Sequence, residues 1–308
     1  MVATKPTASE CETGPFLRGK SGPDMSIISL NRTIDLTTRP RRSPLVSVVV
    51  PTRNEAANLP TVLGAIPAEY EVVIVDGYST DGTLEVAARL RPDAILLTQT
   101  RRGKGNAMAC GFAAATGDIL VMLDADGSAD PLEIPRFVRA LEEGADFAKG
   151  TRFAAGGGSS DITRLRRLGN KALNGIVNTV YRTAYSDLCY GYNAFWRRCL
   201  PVLELSPGES GDEMLWGDGF EIETLINIRV AQAGLKVVEV PSYEADRLHG
   251  VSNLNAFSDG LRVLRTIAAE KRTQRQRALA GAAVAARPSV VVLPDVAVPS
   301  QAREKLSA

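Results

Sequence analysis

Leu123-Asp124-Ala125-Asp126 sets two carboxylates, one residue apart, directly after an apolar run at 119–123. Acids so placed at the end of a buried strand can both reach one cation in the following loop. Hard divalent ions such as Mg²⁺ and Mn²⁺ take oxygen ligands and share their coordination shell with substrate phosphates. A metal bridging a diphosphate there would stabilise charge developing on a departing nucleotide. The same pattern also suits an acidic turn or a helix cap before Pro131. A second acid, Asp76, ends the apolar run 71–75. Around it lie Pro51-Thr52-Arg53-Asn54-Glu55 and Asp76-Gly77-Tyr78-Ser79-Thr80-Asp81-Gly82-Thr83. Polar groups at neighbouring strand ends can grip a base and a ribose, while Asp81-Gly82-Thr83 also reads as a turn and a helix start. Lys104 stands between Gly103 and Gly105 but lacks the Gly-x-x-x-x-Gly-Lys-Ser/Thr spacing of a P-loop.

The elements needed to position these groups are legible up to residue 150. Apolar, β-branched strands at 45–50, 71–76, 94–97 and 119–123 alternate with helical stretches at 59–66, 83–90 and 108–115. Continuous apolar strands between helices predict an α/β domain with a mostly parallel sheet covered on both faces. Ligands of such sheets gather beyond the carboxyl ends of the strands, which is where Asp76 and Asp124 fall. Past residue 150 the pattern loosens. Gly156-Gly157-Gly158-Ser159-Ser160 reads as a mobile loop. Leu165, Leu168, Ala172, Ile176 and Val180 recur at helical spacing, with Arg166, Arg167 and Lys171 elsewhere on the wheel. That basic amphipathic helix suits either core packing with a solvated face or an anionic membrane surface. A further helix is expected over 220–233 and a strand over 236–240. Residues 1–43 read as a disordered arm, 44–271 as the folded domain, and 272–308 as a disordered tail.

Composition sets outer bounds. The 308 residues are 44% apolar, enough for a full core, and carry a formal charge of +1, which gives no general attraction to nucleic acid. Cys11, Cys110, Cys189 and Cys199 show neither paired metal spacing nor disulfide density, consistent with a reducing cytoplasm. No apolar run has the length of a signal peptide or a spanning helix, so any membrane role would be peripheral.

Taken together, the segments at 48–55, 75–83, 103–107 and 124–126 resemble family 2 glycosyltransferases of the GT-A fold, a Rossmann-like, mostly parallel sheet with helices on both faces. The resemblance spans about residues 45–268. It implies nucleotide binding by Pro51, Thr52, Glu55, Asp76, Lys104 and Asp124, and a Mg²⁺ or Mn²⁺ held by Asp124 and Asp126. Lys149-Gly150-Thr151-Arg152-Phe153, the run 187–195, Gly219-Phe220-Glu221-Ile222-Glu223 and the run 247–254 resemble one branch, the dolichyl- or polyprenyl-phosphate sugar synthases. This implies acceptor-phosphate contacts from Arg152, Arg166, Arg167, Arg247 and Ser252, with Asp126, Arg152 and Arg247 at the catalytic centre. Three departures stand out. Gly77 replaces a second acid after Asp76, Gly127-Ser128 stands where a third metal ligand is common, and Asn193 replaces an arginine.

The implied reaction is inverting transfer of a hexose from a GDP- or UDP-sugar to a polyprenyl phosphate, at the inner face of the cell membrane. A phosphate monoester with its second pKa near ~6 is already largely dianionic and needs no strong base. A hydroxyl acceptor, soluble or of the cell wall, would need one, and Asp218 and Glu221 are the candidates. Both also suit a helix cap and first turn. A non-catalytic nucleotide-sugar-binding module is the third reading.

Overall fold

The computed structural model describes residues 43–211, 213–250 and 256–285, with side chains of the last helix described over 259–277. The β-branched run Val46–Thr52 forms β1, then Leu59–Ala65 forms α1 and Glu71–Asp76 forms β2. Thr83–Leu90 (α2), Ile95–Thr98 (β3), Lys104–Ala114 (α3), Ile119–Met122 (β4) and Ile134–Glu142 (α4) continue the alternation. Phe147–Thr151 (β5), Gly158–Ser159 (β6), Arg164–Tyr181 (α5), Asn193–Trp196 (β7) and Leu200–Leu203 (α6) follow. Ile222–Gln232 (α7), Val237–Pro241 (β8), Tyr243–Glu244 (β9) and Ala256–Ala285 (α8) complete the order.

Seven strands make one sheet in the order β3-β2-β1-β4-β7-β5-β8. All neighbours are parallel except β7, which runs antiparallel to β4 and β5. Strand periodicity divides the apolar side chains between two layers. Val48, Val50, Val72, Ile74 and Val121 pack under α1, α2 and α4. Val49, Val73, Val75, Leu120 and Met122 pack under α3, α6 and α7. The chain moves outward from β1 to β3, then returns across β1 to β4, so Thr52 and Asp124 flank a topological switch point, the crevice where open α/β sheets bind ligands.

Several sequence expectations change. Gly158 and Ser159 are not a mobile loop; they pair in parallel with Tyr243 and Glu244. The folded domain does not end at 271, because α8 continues to Ala285. The expected disorder of 1–42 and of the tail beyond 285 concerns residues outside those described. Helix α3 starts at Lys104 rather than near Met108, its first turn fixed by the Gly105 N–H donating to the Asp218 carbonyl at 2.7 Å. Among the described residues no helix is long and apolar enough to cross a membrane.

Helix α5 turns a polar stripe inward beside Leu173 and Val177. Asn170, Asn174 and Asn178, four residues apart, form its inner stripe. Asn170 donates to Asp187 at 2.8 Å, Asn174 accepts from the Leu188 N–H at 2.8 Å and donates to the Ser186 carbonyl, and Asn178 donates to the Tyr185 carbonyl at 2.9 Å. The apolar stripe faces outward, with Leu165 60% and Leu168 66% exposed. The period was therefore legible and the face was not. Asn174→Ala is expected to cost about 1–3 kcal/mol in urea unfolding, because it orphans buried backbone groups. Leu168→Ala on the same helix should change stability by less than about 0.5 kcal/mol.

Lys149 lies fully buried on β5 and donates to the carbonyls of Gly150 at 3.0 Å and Tyr190 at 2.7 Å. Burial pulls its pKa down to about 8, with Asp187 opposing the drop. Between that value and the ordinary lysine range, the unfolded chain holds a proton that the native state has released. This residue's contribution to stability therefore rises with pH. The stability difference between wild type and Lys149→Met should shift towards wild type from about pH 8 to about pH 10, read by urea unfolding; a flat difference would refute the assignment.

Candidate active site

The carboxyl ends of β1, β2 and β4 bring Pro51, Thr52, Glu55, Asp76, Asp124 and Asp126 to one crevice, and the 103–105 and 247–250 segments add Lys104 and Arg247. Asp76 is buried and accepts from the Ser79 N–H at 2.9 Å, while Thr52 carries its hydroxyl 3.4 Å from the Asp76 carboxylate. The Gly77 N–H donates to the Thr52 carbonyl at 2.7 Å, which ties the two strand ends together. Beside them Tyr78 stands exposed in a left-handed conformation (φ 62°), its hydroxyl donating to the Gln99 carbonyl at 2.9 Å.

Charge alternates across the crevice. Arg247 bridges Glu55 and Asp126, at 3.2 Å to the latter, and its Nε donates to the His249 carbonyl at 2.8 Å. Lys104 bridges Asp124 and Glu223, at 2.7 Å to each. Burial works to lower the Lys104 pKa, but Asp124 and Glu223 outweigh it and hold the ammonium above the ordinary lysine value. Burial pushes the Glu55 carboxyl up, against hydrogen bonds from Asn58 and Arg247 that favour its charged form.

Glu55, Asp124, Asp126 and Glu223 thus share two cations, which with Asp76 nearby leaves the crevice an excess of negative charge that a divalent ion would offset. The Asp124 side chain is 40% exposed, whereas Asp126 holds one oxygen towards Ser128 (2.8 Å to its hydroxyl) and the other towards Arg247. Among the described residues no cluster of three or more His, Cys, Asp or Glu side chains could hold a metal. Two oxygen-donating acids, with the rest of the shell left to water and phosphate, is the donor set Mg²⁺ favours and fits Mn²⁺ equally.

Other candidates are placed differently. Arg152 engages all three guanidinium nitrogens, with Asp187 at 2.7 and 2.8 Å and Glu244 at 2.9 Å, and its plane lies over Tyr190. It is a strut joining β5, the 187–192 loop and β9, not a free phosphate ligand. Asp218 is held by Arg101 through two bonds of 2.8 and 2.9 Å and accepts from the Leu215 N–H, so it is no free base. Glu221 accepts from the Gly217 and Gly219 N–H groups through one oxygen, and its other oxygen is buried without a partner. Arg166 pairs with Asp161 at 2.7 Å, Arg167 is exposed over the Phe153 ring, and Ser252 lies outside the described residues.

Sequence reasoning missed Glu223 and Gly191. The signal for Glu223 was an acid between Ile222 and the apolar run Leu225-Ile226, where a buried charge is tolerated only when paired. Gly191 backs the Lys104 cluster so closely that a Cβ would lie 3.1 Å from Glu223 and 3.2 Å from Lys104.

The chain belongs to glycosyl transferase family 2, whose sequence profile matches residues 47–200. The protein is therefore a glycosyltransferase. One glycosyltransferase of Mycobacterium bovis and two of Mycobacterium tuberculosis, all described as uncharacterized, are 34% identical over 215 residues, covering 70% of this chain and 92% of theirs. Among solved structures, glucosyl-3-phosphoglycerate synthase from Mycobacterium tuberculosis in complex with Mn²⁺, UDP and phosphoglyceric acid aligns with a TM-score of 0.57. That alignment has 22% identity and covers 74% of this chain and 78% of the other. The same enzyme with Mg²⁺ and UDP gives 0.56 at 23% identity, over 73% and 78%. These structures bear out the GT-A fold. None of these relatives is described as a polyprenyl-phosphate synthase, so the comparisons support the family and not that branch.

Lys104→Met is expected to lower the unfolding free energy by about 2 kcal/mol in urea, because the buried Glu223 and the half-exposed Asp124 lose their shared cation.

Proposed function

We propose that the protein transfers a hexosyl group, with inversion, from a UDP- or GDP-sugar to a phosphate oxygen of a polyprenyl phosphate. The observation that carries this reading is the state of Asp218: Arg101 holds both of its carboxylate oxygens, so this candidate base is not free to take a hydroxyl proton. A phosphate dianion has no proton to lose, so it needs only positioning and charge balance. Its oxygen would form the new bond to the anomeric carbon as the bond to the nucleoside diphosphate breaks, the electron pair leaving on the diphosphate oxygen. Asp124 and Asp126 would hold Mg²⁺ or Mn²⁺, which when bound supplies positive charge at the leaving diphosphate. Pro51, Thr52, Glu55 and Asp76 line the nucleotide side, and Lys104 orients Asp124 through its 2.7 Å ion pair. Arg247 stands at the diphosphate end, where its planar fork matches phosphate oxygens. Arg167, exposed at the start of α5, would be a cation for the acceptor phosphate, whereas Arg166 beside it is paired with Asp161. The reading implies a peripheral protein at the inner face of the cell membrane.

A second reading, a soluble phosphorylated acceptor, is the one the comparisons favour, since the aligned glucosyl-3-phosphoglycerate synthase holds phosphoglyceric acid. The unpartnered Glu221 oxygen is the structural observation on its side, because transfer to a hydroxyl requires a base.

Purified protein incubated with UDP- and GDP-hexoses and either undecaprenyl phosphate or phosphoglyceric acid, with products read by mass spectrometry, separates the two. A sugar-phospholipid that disappears with EDTA and in Asp126→Ala, yet persists in Asp218→Asn and Glu221→Gln, is the expected result. A product only on the soluble acid, lost about 10²-fold or more in Glu221→Gln, would overturn the first reading in favour of the second.

A further inference from the structure

Helices α5 and α8 lie side by side on a face away from the sheet. The Tyr181 hydroxyl donates to the Ile267 carbonyl at 2.8 Å, and Lys271 lies over the Tyr181 ring. Inward, Val177 meets Val263 and Ile267 in a small core of their own. Outward, the asparagine stripe of α5 leaves Leu165, Leu168 and Ile176 in solvent, and α8 shows Leu261 and Leu264, the latter across from Ile176. Between the helices runs a groove floored by Ile176, Val180, Leu264, Ile267 and Ala268, with Lys271, Arg272 and Arg275 at its rim.

Burying these leucines inward and showing the asparagines would be the ordinary choice for a helix in water. A contiguous outward apolar stripe marks a surface with a partner. The charges say which partner. Helix α5 contains no acidic residue, and Arg164, Arg167 and Lys171 are exposed on it. On the described part of α8 the acids are Asp259 and Glu270, both buried, with Glu270 paired to Arg229 at 3.0 Å, while Arg265, Arg272 and Arg275 are exposed. Every exposed charge on the two helices is therefore positive, intermixed with exposed leucine.

We propose that α5 and α8 together form a docking face for an anionic lipid surface, with Leu165, Leu168, Leu261 and Leu264 entering the headgroup boundary and the arginines contacting lipid phosphates. Apolar insertion and attraction to anionic headgroups combine in interfacial helices of this kind. Two helices sharing one face fix the orientation of the protein on the surface, which a single helix would leave free to roll. The proposal deepens the lipid-acceptor reading and rests on it for its purpose, although its test does not involve sugar transfer.

The full chain, without donor, is floated with vesicles of phosphatidylcholine alone and with phosphatidylglycerol added. Binding to the anionic vesicles is expected to be at least about tenfold tighter, and to weaken as salt is raised. Leu168→Asp combined with Leu264→Asp should reduce it by a further order of magnitude, as should Arg265→Ser combined with Arg272→Ser. All four positions are exposed, and unchanged urea unfolding and nucleotide binding would show that the fold survives.

Equal binding to both vesicle types, or leucine variants that bind like wild type, would overturn the proposal. So would a wild-type dimer in sedimentation that the leucine variants dissolve, since a second copy would then cover the face. Vesicle binding that arises only after truncation beyond residue 277 would assign the face to the chain's own C-terminal segment. Lipid binding without a sugar-phospholipid product would uphold the docking face and remove the polyprenyl reading. A product made in detergent by a chain that ignores vesicles would do the reverse.

Discussion

Mutual repulsion among carboxylates is the constraint around which the crevice is built. Glu55, Asp124, Asp126 and Glu223 are drawn together from β1, β4 and α7, and like charges at such spacing in a partly dry site would force each other to protonate or move apart. Lys104 and Arg247 sit in the gaps, each pairing with two of the four. The balance is incomplete by design of the chemistry, since full neutralisation would leave nothing for a divalent ion to bind. The glycines at 103, 105 and 191 follow from this arrangement. The first two let the Lys104 turn lie against the 217–218 backbone, and the third leaves room for the ion pairs.

The sheet could be read from the sequence because its first four strands are uninterrupted apolar runs, and an acid after such a run is conspicuous. Asp76 and Asp124 were found in that way. The strand β5 was not, because Lys149 and Gly150 interrupt its pattern, and only the structure shows a lysine spending its donors on two carbonyls inside the core. The same limit hid the ion pairs. Arg152 with Asp187, Arg101 with Asp218 and Lys104 with Glu223 join residues far apart in the chain, and no local spacing announces them. Arginines that look available for a substrate in sequence are consumed by the fold in space.

Helix α5 shows a different kind of ambiguity. Periodicity identifies a stripe but carries no information about which side of the helix meets the protein. The usual assumption, apolar inward, fails because the 185–188 segment presents bare backbone groups and the Asp187 carboxylate, which asparagines can satisfy and leucines cannot. The polar requirement of one buried loop thus turned the asparagine stripe inward and set Leu165 and Leu168 outside, while Leu173 and Val177 still pack inward.

The sequence profile of the family ends at residue 200, yet the charge balance of the crevice does not. Glu223 and Arg247 reach back from beyond that boundary to complete a centre whose other members lie between residues 55 and 126. The two halves are thus electrostatically interdependent. An exchange of the later half with that of a relative, made to transplant an acceptor preference, would carry part of the crevice's charge balance with it. A graft that keeps an acid facing Lys104 and a cation facing Asp126 preserves the centre, whereas one that changes either charge strands the half it leaves behind.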